Sequence, residues 1–211
     1  MNRDIIFFDI DTQYDFISPQ GKLPIPGAEA ILDNISAIRR LALENGYSII
    51  ASVDYHSMTD AEISLKPDFK TTFPPHCMAG QPGAERVGYL GDVHIDYVGP
   101  GQIATDSLKP LIEKKQLHIV IRTDTTDLFD SSNAVELVEI LQPRKSVVFG
   151  VALDVCVYNA VKDLKKCCDT LIYVVKDAVK GLNIIPDAQV YQEFEKMSVQ
   201  IISLEDLKEM L

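Results

Sequence analysis

The 211-residue chain has no apolar run long enough to cross a bilayer. It has no cationic excess either. Twenty Lys and Arg stand against 31 Asp and Glu, a net charge of −11, which argues against a nucleic-acid partner because such surfaces are basic. No disulfide framework is visible. The four cysteines are Cys77, Cys156, Cys167 and Cys168, and the adjacent last two are poorly placed to pair with each other. A reducing, cytoplasmic setting is expected from that usage. The opening MNRDIIFFDID has acids inside its apolar segment and no small-residue cleavage site, so a signal peptide is not expected. No glycine-rich phosphate loop follows the first apolar run, and no repeat, low-complexity tract or interdomain linker interrupts the chain. What remains is an ordinary globular composition, 46% hydrophobic and 24% charged, that fits one domain over residues 1–211.

Short β-rich apolar runs alternate with segments of helical period. Strands are expected over 4–10, 47–53, 117–121, 146–149, 171–175 and 199–202. Helices are expected over 27–45, 106–115, 131–141, from about 154 to 166, 187–197 and 204–211, with Asp106 or Ser107 capping the second of them. Residues 57–97 carry repeated Pro and Gly and read as a long functional loop. Alternation of this kind predicts a three-layer α/β fold: a mostly parallel, Rossmann-like sheet of about six strands with helices on both faces. Ligands of such sheets bind at the carboxyl ends of the strands. Those ends hold Asp9 and Asp11, Asp54 and His56, Arg122, residues 150–156, and Lys176 with Asp177.

Four groups there suggest chemistry. Cys156 falls in the first turn of a helix, where backbone N–H groups and the helix dipole favour a thiolate, although a free cysteine is as readily a buried core residue. Asp11 closes the first strand, either as a general base toward that thiol or as a turn cap. Asp54 and His56 are two apart and share one side of an extended segment; His76 and Glu62 lie within reach in sequence. Two imidazoles with carboxylates suit Zn²⁺, Fe²⁺ or Mn²⁺, against the plainer reading of a turn Asp and a surface His. Arg122 ends the third run. Near Cys156 it would stabilise a thiolate and an oxyanion; otherwise it pairs with Asp124 or Asp127.

Taken together, D-x-Q-x-D-F (Asp11 to Phe16), GKLPIPGAE (Gly21 to Glu29), D-x-H (Asp54, His56), PPHC-x-x-G-x-PGAE (Pro74 to Glu85) and G-V-A-x-D-x-C-V (Gly150 to Val157) resemble the isochorismatase-like cysteine hydrolases, in particular their metal-binding, nicotinamidase-type branch. The resemblance spans nearly the whole chain. It implies an Asp–Lys–Cys triad acting on a small amide C–N bond, most economically nicotinamide giving nicotinate and ammonia. Asp11 matches the acid and Cys156 the nucleophile. The Val151–Ala152 step matches a cis peptide beside the oxyanion site. Asp54, His56 and His76 match ligands of a divalent metal, zinc first, with Glu62 where a further histidine is common. Phe16 and Phe73 match pocket walls or are ordinary core. Arg122 stands in for the lysine, and Lys176 is the one visible substitute. Another carbamoyl or ureido substrate, or a catalytically weak ligand-binding relative, are the alternatives. The expected partner is a small amide; homo-oligomers are compatible with the reading.

Overall fold

In the computed structural model, which describes residues 4–101 and 105–211 with the side chains of 105–107 left aside, every strand pairing is parallel. The strands are β1 (Ile5–Ile10), β2 (Ser48–Asp54), β3 (Asp96–Val98), β4 (His118–Thr123), β5 (Lys145–Val151), β6 (Leu171–Lys180) and β7 (Gln200–Ile202), in the spatial order β3-β4-β2-β1-β5-β6-β7. The seventh strand is β3, three residues at one edge. It sits in the stretch expected to be irregular, and its DYV is too short to carry a period.

Helices α1 (Tyr14–Ile17), α2 (Leu32–Glu44), α3 (Thr105–Ile112), α4 (Ser132–Leu141), α5 (Cys156–Cys167), α6 (Asp187–Lys196) and α7 (Leu204–Met210) cover the sheet. The caps expected at Asp106 and Ser107 lie outside the described residues. Strand alternation splits the core in two. Ile6, Phe8 and Ile10 join Ile119, Ile121 and Val148 under α4 and α5, whereas Phe7 joins Ile49, Val147 and Ile38 of α2 on the other face. Gly46, at φ +74°, ends α2 in the left-handed conformation that a glycine adopts without steric cost.

The long loop 57–97 has little sheet pairing of its own and is tied down by two side chains from the segment after β1. The Gln13 amide donates to Asp54 O and Ala84 O and accepts from Asp54 N. The Asp15 carboxylate accepts from Cys77 N at 2.8 Å and from Lys22 N at 3.0 Å. A Cβ on Gly83 would lie 2.1 Å from the Asp15 carboxylate, so only glycine fits there.

Candidate active site

β5 delivers the central turn. Gly150 has φ +118°, and a Cβ on it would stand 2.0 Å from Ile10 O of the neighbouring β1. Only glycine permits that approach, and β5 shifts register against β6 at this point. The following peptide, Val151–Ala152, is cis, where the resemblance places one. α5 starts at Cys156, two residues later than expected, with Val155 as its N-cap. Asp154 is thereby freed from the helix. Its carboxylate accepts from Leu182, Ile184 and Ile185 N–H and pins the loop after β6.

One cavity holds most of the expected residues. Phe16, Asp54, Glu62, Phe73, His76, Ala152 and Cys156 line it, with Leu23, Thr126, Val155 and Leu182 completing the wall. Its free space is about 20 Å³, room for about one water molecule. Phe16 and Phe73 line the cavity, with ring centroids 5.2 and 6.1 Å from that of His76, and belong to the α2-side core. Asp11 lies behind the cavity, fully buried at φ +47°, a conformation Asp tolerates better than most residues. Its carboxylate accepts from Ser52 Oγ at 2.5 Å and lies near enough to the Cys156 thiol for each group to shift the other's titration.

The thiol is not the ready thiolate that its place on α5 suggests. Burial pushes the Cys156 thiol well above its ordinary range; the charges of Asp11 and Asp54 and the bond to Asp11 push it further, opposed by the Ala152 N–H. Asp11 is also raised, by burial and then by the Asp54 charge, against the bonds from Ser52 and Cys156. Proton and pair are held together: an acid raised in pKa is a competent base toward the thiol beside it.

Arg122 does not join them, contrary to expectation. Parallel neighbours in register share a face, and Val53 faces Arg122 whereas Asp54 faces Thr123. The residue at this strand end that shares the Asp54 face is therefore Thr123. Thr123 Oγ1 lies 3.3 Å from Val53 O and 3.4 Å from Asp54 Oδ1. The Arg122 guanidinium lies on the opposite face, 4.3 Å over the Tyr55 ring and 5.1 Å from that of Tyr97. It pairs with neither Asp124 nor Asp127. Lys176 is exposed on β6. Among the described residues no Lys or Arg lines the cavity. Ser52, bonded to Asp11, and Thr123, beside Asp54, are the neighbours that sequence reasoning missed. Their signal is the β2–β4 register, which no local pattern carries.

Asp54, His56, Glu62 and His76 form a buried set whose donor atoms all lie within 4.8 Å of one another. His76 Nδ1 donates to Pro74 O at 2.8 Å and His56 Nδ1 to Asp60 Oδ2 at 3.2 Å, so both Nε2 atoms face inward as ligands. His56 Nε2 stands 3.1 Å from Glu62 Oε1, yet neither atom has an aligned hydrogen-bond partner. Two orphaned buried polar atoms pointing at one spot fit a bound cation. Burial would lower His56, but Asp54 and Glu62 carry it up to about 10; burial would raise Asp54, but His56 and His76 hold it at about 2. The set fits a divalent metal, for which a proton on His56 competes.

No protein-family model matches the chain. It is 26% identical to the nicotinamidase of Schizosaccharomyces pombe over 93% of this chain and 92% of that protein. In fold it is similar to the pyrazinamidase of Pyrococcus horikoshii solved in complex with zinc (TM-score 0.75, 21% identity, 95% and 99% of the two chains). It is also similar to an isochorismatase family protein of Desulfovibrio vulgaris (TM-score 0.74, 19% identity, 99% and 98%).

Proposed function

We propose that this chain, which resembles the nicotinamidase-type isochorismatase-like hydrolases along nearly its whole length, hydrolyses a small planar amide, with nicotinamide giving nicotinate and ammonia as the reaction best supported. The observation that carries the reading is the buried juxtaposition of Asp11 and Cys156 at a cavity that Cys156 shares with the candidate metal ligands Asp54, Glu62 and His76.

In this reading Asp11 accepts the thiol proton as sulfur attacks the amide carbon, so the raised thiol is ionised only during attack. The oxyanion that forms accepts from the N–H groups of Ala152 and Cys156 at the α5 N-terminus. The C–N bond then breaks, the amine taking the proton from Asp11, which leaves a thioester and ammonia. Asp11 next removes a proton from water as the water oxygen attacks the thioester. The C–S bond breaks, the carboxylic acid leaves, and the thiol regains its proton. Phe16 and Phe73 sandwich the planar ring. With space for about one water, the ring enters only as Leu23, Phe73 or Leu182 swings aside.

Asp54, His56, Glu62 and His76 would hold the metal, and zinc suits two imidazoles with two carboxylates. Bound there, it supplies a Lewis acid facing the same cavity. Four free thiols support a reducing, cytoplasmic setting. The test is ammonia release from nicotinamide, benzamide and a carbamoyl compound, by metal-loaded protein and by Cys156→Ala. Release from nicotinamide that Cys156→Ala abolishes supports the reading. No release from any amide overturns it.

A further inference from the structure

The sheet face that carries Arg122 has a second, larger cavity, of about 170 Å³, lined by Val53, Tyr55, Gly80, Ala84, Glu85, Arg86, Tyr97 and Arg122. At about 30 Å³ per water that is room for five or six waters, or for one small ion of the size of phosphate or a four-carbon dicarboxylate. It lies back to back with the catalytic cavity, since Val53 and Tyr55 bracket Asp54.

The charge around it does not balance. Arg86 and Arg39, both buried, share one carboxylate: Asp9 Oδ2 accepts from Arg39 Nε at 2.7 Å and from Arg86 at 2.5 Å. His118, whose Nε2 accepts from Arg86 at 3.1 Å, brings no negative charge. Arg86 Nε has no hydrogen-bond partner although it is buried. Arg122 adds a second uncompensated guanidinium. It lies over the faces of Tyr55 and Tyr97, which fix its plane without neutralising it; Asp124 and Asp130 line an adjoining cleft with it, but among the described residues neither forms an ion pair with it. The opposing acid is Glu85, exposed at the rim and in no ion pair. A chain of net charge −11 thus sets the guanidiniums of Arg39, Arg86 and Arg122 against only the carboxylates of Asp9 and Glu85 around one cleft, a local excess of positive charge, and buried charge that is incompletely paired is costly.

We propose that this cleft binds a small oxyanion, with Arg122 clamped by Tyr55 and Tyr97 as its principal ligand and Arg86 as the buried cation behind it. A planar guanidinium with free donors matches carboxylate and phosphate oxygens alike. The ligand class is therefore a doubly charged oxyanion, drawn either from inorganic phosphate or from a small dicarboxylic acid.

The test is calorimetric titration of the full chain with phosphate and, separately, with succinate, against sodium chloride of equal ionic strength. Wild type, Arg122→Gln and Glu85→Gln are compared, each checked for an unchanged circular dichroism spectrum. Saturable binding of either anion is expected, and the anion that binds identifies the source. Arg122→Gln weakens it at least about tenfold, the scale of one lost charge-assisted hydrogen bond. Glu85→Gln strengthens it, an effect that no misfolded variant would produce. Absence of saturable binding of both anions, or equal affinity in wild type and Arg122→Gln, overturns the proposal. The catalytic reading stands or falls separately, by ammonia release.

Discussion

Replacing Thr123 by Lys puts a cation on the sheet face that the β2–β4 register shares with Asp54; replacing Arg122 by Lys leaves the charge on the far face. The two variants should therefore act on Cys156 in opposite degrees. A lysine ammonium that reaches past Asp54 to within about 5 Å of the sulfur would, at an effective dielectric of about 20, favour the thiolate by about 3 kcal/mol, or about two pKa units. Asp11 and Asp54 compete for the same ammonium and burial costs it charge, so a fall of about one unit is the expected net result. Arg122→Lys, with the sheet between charge and thiol, should move the thiol by less than about 0.3 units. The assay is the rate of Cys156 alkylation by iodoacetamide against pH in the presence of chelator, resolved from the other three cysteines by peptide mass spectrometry. Both variants are first checked for unchanged circular dichroism and melting. If Arg122→Lys shifts the profile as much as Thr123→Lys, or if folded Thr123→Lys leaves it unmoved, the assignment of faces is refuted.

Asp9→Asn should be among the most destabilising single changes, by about 3–5 kcal/mol in urea unfolding, because it leaves two buried guanidiniums sharing no carboxylate. Burial would raise Asp9, but Arg39 and Arg86 hold its carboxyl well below the usual range. A depressed acid stabilises fully above its unfolded pKa of about 4 and loses that contribution as pH falls toward its folded value, so the variant should have a flatter acid unfolding profile than wild type. Asp60→Asn, which weakens the orienting partner of His56 Nδ1, should lower metal affinity about 10- to 100-fold in competition with a chromophoric chelator; unchanged affinity would show that Asp60 does not orient the ring.

Much of the fold was legible because the strands are apolar on both faces and the helices are periodic. β3 was not, since Asp96 to Val98 gains strand character only by pairing with Ile119 to Ile121. The metal quartet was legible because Asp54 and His56 share a strand end and Pro-Pro-His fixes the return. The third corner of the site was misread by one residue. A strand read alone does not reveal which of two adjacent polar residues turns inward, and a one-residue error reverses the face. Arg122 stood out by charge, and Thr123 had only its register with Asp54. The thiol was misread for a related reason: the helix start is local, but the burial and the two carboxylates that outweigh it are contributed by β1 and β2.

The ties at Gln13 and Asp15 bear on how the molecule opens. Residues 57–97 carry Glu62 and His76 yet contribute only the short edge strand to the sheet; the rest of the segment is fastened by the Gln13 amide, the Asp15 carboxylate, the Arg86–Asp9 ion pair and scattered backbone bonds such as Val87 N to Thr12 O. Such a segment unfolds locally at a lower free energy than the sheet. Amide exchange should divide the molecule accordingly, with β1, β2 and β5 exchanging last and the segment bearing half of the metal ligands exchanging earlier as a unit. Exchange of the metal would then proceed by brief loop opening while the nucleophile and its base stay assembled on the closed sheet.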